Sequence, residues 1–113
     1  ILTVSNDAWF GNSIGPWQHL QMAQMRALEF GKPVIRATNT GVTAFIDAQG
    51  NIVAQAPQFV EMVLTHRIAP TQGKTPYSVF GDMPLYVLSA VFFLLHLLGM
   101  LLQRLLLKRV RKA

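Results

Sequence analysis

The chain has 113 residues, with ten lysine and arginine side chains against five aspartate and glutamate side chains, and no cysteine. This length allows at most one ordinary domain, and the absence of cysteine excludes disulfides, thiolate metal sites and a thiol nucleophile within the chain. The net charge of +5 does not indicate nucleic-acid binding, because the basic excess lies in the last ten residues and is not spread over a folded face.

The first residues predict a β-strand. Leu2 to Ser5 alternate apolar and polar side chains, as in a strand with one buried face. Asn6 and Asp7 end the pattern, and a loop over residues 8–15 follows. Because Ile1 already belongs to the strand pattern, we expect the chain to be the C-terminal fragment of a longer protein that supplies further strands.

A helix is predicted from Pro16 to about Phe30. Proline suits the first turn of a helix, where its missing N–H has no partner to lose. Gly31 stands where a left-handed residue ends a helix, and Pro33 prevents continuation. Several apolar residues share one side of this helix, within an arc of roughly 160°: Trp17, Leu20, Ala23, Ala27, Leu28 and Phe30.

Further strands are predicted after the helix, separated by breaks at residues 39–41, 48–51 and 56–57. Their apolar, β-branched composition and the turn residues between them are typical of a sheet. The predicted strands are Pro33–Thr38, Val42–Asp47, Ile52–Gln55 and Glu61–His66. A strand–helix–strand unit followed by a meander predicts a layered α/β or α+β sheet.

The last third of the chain predicts a membrane anchor. Residues 69–82 are rich in proline and glycine and read as a linker, and residues 83–103 are 21 positions without a formal charge. This stretch is long enough to span about 30 Å as a helix. We therefore predict a transmembrane helix over 83–107 and a basic cytoplasmic tail over 108–113, which places residues 1–82 on the opposite face of the membrane. The alternative, a buried core helix, does not suit so long an apolar stretch.

Several motifs in this order resemble apolipoprotein N-acyltransferases, which are members of the nitrilase superfamily. The resemblance covers essentially the whole chain, including the apolar helix with its basic end. It is carried by the runs Ser5–Gly11, Gly15–His19, Met25–Glu29, Arg36–Thr43, Asp47–Gly50 and Thr75–Tyr77.

The resemblance implies a nitrilase-like αββα sandwich, of which residues 1–68 form the C-terminal part, on the outer, periplasmic face of the bacterial inner membrane. It implies transfer of a fatty acyl chain from a phospholipid to the N-terminal amine of a lipoprotein, through a Glu-Lys-Cys triad and a cysteine thioester. The chain departs from this pattern because it has no cysteine. None of its glutamates or lysines matches the triad, so we assign no catalytic residue and expect the fragment alone to be inactive.

The candidate substrate-binding residues lie at two breaks after strands. Asn6 and Asp7 follow the first strand, and the second break contains Thr38, Asn39 and Gly41. If the two strands are neighbours, both breaks face one pocket. The alternative is that these residues only form turns and bond to their own backbone.

Two aromatic residues in the first loop are the remaining candidates. Trp9 and Phe10 suit a lipid channel, although each could instead plug the core, an alternative that we favour for Phe10. Arg36 could pair with Asp7, with Glu29 or with a lipid phosphate, and a structural salt bridge is the favoured reading. The three histidines have no metal-binding spacing, and we predict neither a metal nor a cofactor.

Two other functions remain open at this point. The first is a membrane-anchored module that keeps the nitrilase fold without its chemistry. The second is a carbon–nitrogen hydrolase that acts on small amides. The residues of a longer parent would separate these, since a cysteine just before Leu2 and several upstream membrane spans indicate the acyltransferase.

Overall fold

The computed structural model describes residues 1–112, with side chains through residue 110, so Ala113 of the predicted tail lies outside the described residues. The chain divides into two compact units, one from Ile1 to Val79 and one that begins at Phe80. The predicted division at residues 68, 82 and 107 remains a prediction.

The first unit is a mixed sheet with one long helix. Its sheet has four strands in the order β1-β2-β3-β4, with β1 parallel to β2 and the other two pairs antiparallel. The elements in this unit and at its end are β1 (Leu2–Ser5), α1 (Gly15–Phe30), β2 (Val34–Thr38), β3 (Ala44–Ile46), β4 (Ile52–Gln55) and the short α2 (Pro76–Phe80). A three-residue 3-10 helix, Ala8–Phe10, lies in the loop before α1. The α/β fold class predicted from the sequence is confirmed.

The pairing of β1 with β2 positions the candidate site. Leu2 lies opposite Ile35, and Ser5 lies opposite Thr38. Because the strands are parallel, their carboxyl ends lie side by side at one edge of the sheet. The two polar breaks that follow these strands are therefore neighbours.

Helix α1 packs against the sheet through small and aliphatic side chains. Gly31 ends the helix with φ +59°, and its N–H bonds to the carbonyls of Ala27 and Leu28, which confirms the predicted left-handed cap. The buried stripe is narrower than the predicted arc, because Trp17, Leu28 and Phe30 are exposed. The core cluster consists of Leu20, Ala23, Ala27, Val34, Val42, Ala44 and Ile46.

The strand predicted over Glu61–His66 is wrong. The described residues 56–75 contain neither helix nor strand. An apolar, β-branched composition favours an extended segment, but a strand also needs a neighbour that bonds to its backbone. β3 begins two residues later than predicted, at Ala44, and ends one residue earlier, at Ile46. The earlier end arises because the Asp47 carboxylate accepts the N–H groups of Gln49 and Asn51 and so belongs to the turn.

The predicted linker is not entirely irregular, since it contains α2. The hydroxyl of Thr75 accepts the N–H of Ser78 at 3.1 Å, which satisfies a free donor in the first turn of that helix. A proline-rich stretch does not exclude a helix, because Pro76 occupies the first helical position, where proline is tolerated.

The second unit contains α3, which runs from Met83 to Lys112. The helix begins at residue 83, where the sequence predicts it. The backbone carbonyl of Asp82 accepts the N–H groups of Leu85 and Tyr86 in its first turn. The 28 residues from Met83 to Val110 are long and apolar enough to cross a membrane, judged by length and composition alone. The helix continues past residue 107, so the predicted tail is helical through Lys112.

Candidate functional site

The centre of the candidate site is the buried carboxylate of Asp7. Asp7 is the second residue after β1 and is only 1% exposed. Its Oδ2 lies 2.6 Å from Nη2 of Arg36, a buried residue of β2. Its Oδ1 accepts the hydroxyl of Ser5 at 2.6 Å and lies 3.2 Å from Nδ1 of His19 on α1. We call these four residues the Asp7 cluster.

The electrostatics of the cluster keep Asp7 ionised. Burial alone would raise the pKa of Asp7. The hydrogen bonds from Ser5 and His19 and the charge of Arg36 outweigh burial and hold the pKa of this carboxyl below its usual value. Because a carboxylate only accepts hydrogen bonds, Nδ1 of His19 is the donor, and Nε2 is left as the ring's second polar atom.

Asn6 and Asn39 connect the two breaks. The side-chain oxygen of Asn39 accepts the N–H of Asp7 at 3.1 Å and that of Thr40 at 2.8 Å. Its amide nitrogen donates to the side-chain oxygen of Asn6 at 2.6 Å, which also accepts the N–H of Ala8. The two asparagines thus make local turn bonds and also bond to each other across the sheet edge, and substrate contact by either remains a prediction.

Thr38 and Gly41 support this arrangement without projecting a free polar group. The N–H of Thr38 donates to the hydroxyl of Thr43 at 3.0 Å. A Cβ atom on Gly41 would lie 2.7 Å from Cβ and 2.8 Å from Cγ of Asp7. Glycine at this position therefore provides the room that the Asp7 carboxyl occupies.

The two loop aromatics differ in their surroundings. Trp9 is 89% exposed. The ring of Phe10 packs edge-on against that of His19, with centroids 5.0 Å apart, and closely approaches Gly15. Trp9 is therefore placed to touch a ligand, whereas Phe10 packs within the chain. Substrate contact by either remains a prediction.

Sequence reasoning missed Ser5 and His19 as members of the cluster, although it anticipated that Arg36 could pair with Asp7. One signal was present. Arg36 lies between Val34 and Thr38 on the same face of β2, and a charge among core positions requires a buried partner. No comparable pattern singles out His19, because it reaches Asp7 only through the packing of α1.

The bonds of the cluster connect β1, β2 and α1. The cluster contains no cysteine, and the hydroxyl of Ser5 donates to Asp7 and not to His19. The cluster fixes the loop over 8–14, holds the imidazole of His19 in one orientation and joins β1 to β2. Among the described residues, no group of three histidine, cysteine or acidic side chains is placed to hold a metal ion.

Comparison with known proteins gives two findings. Residues 1–77 match the family model described as "Carbon-nitrogen hydrolase". The chain is also similar to proteins named apolipoprotein N-acyltransferase. That of Haemophilus influenzae is 73% identical over 96 residues, covering 85% of this chain and 18% of the relative.

Other relatives agree. The apolipoprotein N-acyltransferase of Pasteurella multocida is 69% identical over 104 residues, covering 92% of this chain and 20% of the relative. That of Vibrio cholerae is 61% identical over 87 residues, covering 77% of this chain and 17% of the relative. The chain thus spans at most a fifth of the length of these relatives.

Proposed function

The chain belongs to the carbon-nitrogen hydrolase family, and from this premise we propose that it is the C-terminal segment of an apolipoprotein N-acyltransferase. The full-length protein transfers a fatty acyl chain from a phospholipid to the N-terminal amine of a lipoprotein at the bacterial inner membrane. The observation that carries this proposal is the 73% identity over 85% of the chain to a relative of that name.

In this proposal the bond-making groups lie outside the chain. A cysteine thiolate attacks the ester carbonyl of the phospholipid, forming an acyl thioester and releasing the lysophospholipid, whose new hydroxyl takes up the thiol proton. The lipoprotein amine then attacks the thioester, and its proton returns to the thiol. The described segment supplies support: the Asp7 cluster and the two asparagines position the strand-end loops, and α3 anchors the protein.

The exposed Trp9 is the residue of this segment proposed to meet the lipid. Its indole projects from a loop that Asp7, His19 and Phe10 hold in place. A rigid aromatic side chain offers a large apolar contact with little conformational entropy to lose. We place residues 1–82 in the periplasm, because the basic end of α3 favours the cytoplasmic side.

The function is tested with the purified full-length protein, a phospholipid donor and a synthetic peptide that begins with a diacylglyceryl cysteine. We expect mass spectrometry to find the protein acylated on a cysteine without the peptide, and the peptide amine acylated once it is added. The isolated 113-residue chain should do neither. An N-acetylated peptide is the matched control and should remain unchanged.

Two outcomes would contradict the proposal. Release of ammonia from small amides without acyl transfer would indicate the hydrolase alternative. An unmodified full-length protein that shows neither activity would indicate the non-catalytic module.

Replacing Trp9 by alanine in the full-length protein should slow acyl transfer about tenfold, the effect of losing roughly 1.4 kcal/mol of contact with the reacting lipid. Because Trp9 is 89% exposed, the melting temperature should change little. Steady-state transfer rates and thermal unfolding in the same detergent measure the two effects.

Trp17→Ala is the matched control, since Trp17 is less exposed, at 43%, and lies on α1. It should lower the melting temperature with less effect on transfer. Parallel losses of rate and melting temperature for Trp9→Ala would show that this residue is structural.

A further inference from the structure

The short 3-10 helix that carries Trp9 is contacted on both sides by one side chain of α1. Trp9 is the middle residue of this helix, Ala8–Phe10, and Asp7 precedes it directly. Nδ1 of His19 lies 3.2 Å from Oδ1 of Asp7, and its ring packs edge-on against that of Phe10, with centroids 5.0 Å apart. The imidazole therefore touches the loop before and after the residue proposed to meet the lipid.

The Asp7 side of the loop has several supports besides His19. The Asp7 carboxylate also accepts the hydroxyl of Ser5 and pairs with Arg36, each at 2.6 Å. Its backbone N–H donates to the side-chain oxygen of Asn39 at 3.1 Å. Because these bonds connect Asp7 to β1, to β2 and to the break after β2, loss of the bond from His19 alone should leave Asp7 in place.

The Phe10 side of the loop is joined to α1 by its ring. The ring lies against the imidazole of His19 and beside Gly15, where an added Cβ atom would lie 2.7 Å from Cγ of Phe10. The N–H of Phe10 donates to the carbonyl of Asp7 at 3.1 Å, but this bond lies within the loop itself. The position of Phe10 against the helix therefore depends on aromatic packing. Since Trp9 is its neighbour in the same short helix, this packing also sets where Trp9 projects.

The bond to Asp7 fixes the orientation of the imidazole. A carboxylate only accepts hydrogen bonds, so Nδ1 carries hydrogen in both the neutral and the protonated ring. The charged groups that face the imidazole are Asp7 and, across the same carboxylate, Arg36. The ring thus keeps one orientation toward Phe10 in either state, and a role in positioning does not require His19 to transfer a proton.

We propose that His19 is a positioning residue for acyl transfer, which acts through the ring of Phe10 to hold Trp9 where the phospholipid donor binds. The inference rests on the proposed function, since it requires a lipid substrate at Trp9. A protein whose loop is in the binding orientation for only part of the time binds its ligand more weakly by that fraction. Loss of the ring contact should therefore raise KM for the donor and leave kcat nearly unchanged.

Two replacements of His19 in the full-length protein separate the ring from the hydrogen bond. His19→Phe keeps an aromatic ring against Phe10 and removes the donor to Asp7. His19→Asn keeps a donor near the position of Nδ1 and removes the ring. We expect His19→Asn to raise KM for the phospholipid donor about fivefold, as when the loop is correctly placed about a fifth of the time, and His19→Phe to change it by less than about twofold.

The order of the two variants should be reversed in thermal unfolding. His19→Phe removes a hydrogen bond to a buried carboxylate and should lower the melting temperature by about 2 °C or more, whereas His19→Asn should lower it less. Arg26→Met, which changes an exposed ion pair on the same helix, is the control and should leave KM unchanged and the melting temperature nearly so.

Three kinetic results would overturn the proposal. An unchanged KM for His19→Asn would show that the ring contact does not affect donor binding. A larger KM for His19→Phe than for His19→Asn, in step with the loss of melting temperature, would show that His19 is only structural. Loss of kcat in both variants at unchanged KM would show that the imidazole acts in the chemistry itself.

Fluorine NMR provides a readout that does not depend on acyl transfer. The full-length protein is labelled with fluorotryptophan in detergent micelles, and Trp9→Phe and Trp17→Phe identify two signals by their loss. His19→Asn should narrow the Trp9 signal, because a released loop moves faster, and should leave the Trp17 signal unchanged; His19→Phe should alter neither. An unchanged Trp9 signal in His19→Asn would overturn the positioning role even in an active acyltransferase. A narrowed signal in a protein that transfers no acyl chain would support the hold of His19 on Trp9 and contradict only the proposed function.

Discussion

Replacing Arg36 by methionine should lower the unfolding free energy of the full-length protein by about 3–5 kcal/mol, because it leaves the Asp7 carboxylate buried without its charge partner. The same replacement at Arg26 should change it by less than about 1 kcal/mol. The two arginines are matched in the geometry of their ion pairs. The nitrogen–oxygen distance is 2.6 Å both from Arg26 to Glu29 and from Arg36 to Asp7.

The two pairs differ in burial and not in distance. The side chains of Arg36 and Asp7 are 5% and 0% exposed, whereas those of Arg26 and Glu29 are 55% and 21% exposed. Water solvates the exposed pair and the group left behind when one partner is removed. Inside the cluster, the remaining charge has only Ser5 and His19 to stabilise it.

Thermal unfolding of both variants in the same detergent measures this difference as a shift in the midpoint. A third variant that combines Arg36→Met with Asp7→Asn removes the uncompensated charge and should recover part of the loss. Similar shifts for Arg36→Met and Arg26→Met would contradict the assignment of Arg36 and Asp7 as a buried pair on which the fold depends.

Gly41→Ala should destabilise the full-length protein by about 3 kcal/mol, near the upper end of what an added methyl group causes in a packed site. The new Cβ would overlap the Asp7 side chain, approaching its Cβ and Cγ to within 2.7 and 2.8 Å. That side chain cannot rotate away without losing its bonds to Arg36, Ser5 and His19.

Gly11→Ala is the control that separates space from backbone conformation. Gly11 has φ +51° and ψ −138° and open space around its Cβ position, so alanine there should be unfavourable by about 1–2 kcal/mol, from backbone strain alone. If Gly11→Ala lowers the melting temperature as much as Gly41→Ala, steric conflict with Asp7 is not what distinguishes position 41.

The local elements could be predicted from the sequence because their signals are local. The alternation over Leu2–Ser5, the proline that opens α1 and the glycine that ends it act within a few residues. The strand predicted over 61–66 is wrong for the complementary reason: composition describes a single segment, whereas a strand needs hydrogen bonds to a second one.

The positions of the candidate site could be predicted from the sequence, but most of the contacts between its residues could not. The polar breaks at Asp7 and Asn39 could be found, and they do meet. Which groups face Asp7 could not be read from spacing. Arg36 and His19 are 29 and 12 residues away, and only the parallel register of β1 and β2 and the packing of α1 bring them together.

The sharing of one carboxylate by several neighbours has an evolutionary consequence. Ser5, His19, Arg36 and Gly41 each contact Asp7, so the effect of changing any one of them depends on the others. A side chain at position 41 is unfavourable while position 7 keeps its carboxylate, and so is loss of the charge at position 36 alone. Single changes at these positions are therefore less favourable than paired ones, whereas the exposed Trp9 beside them can change alone with little effect on stability.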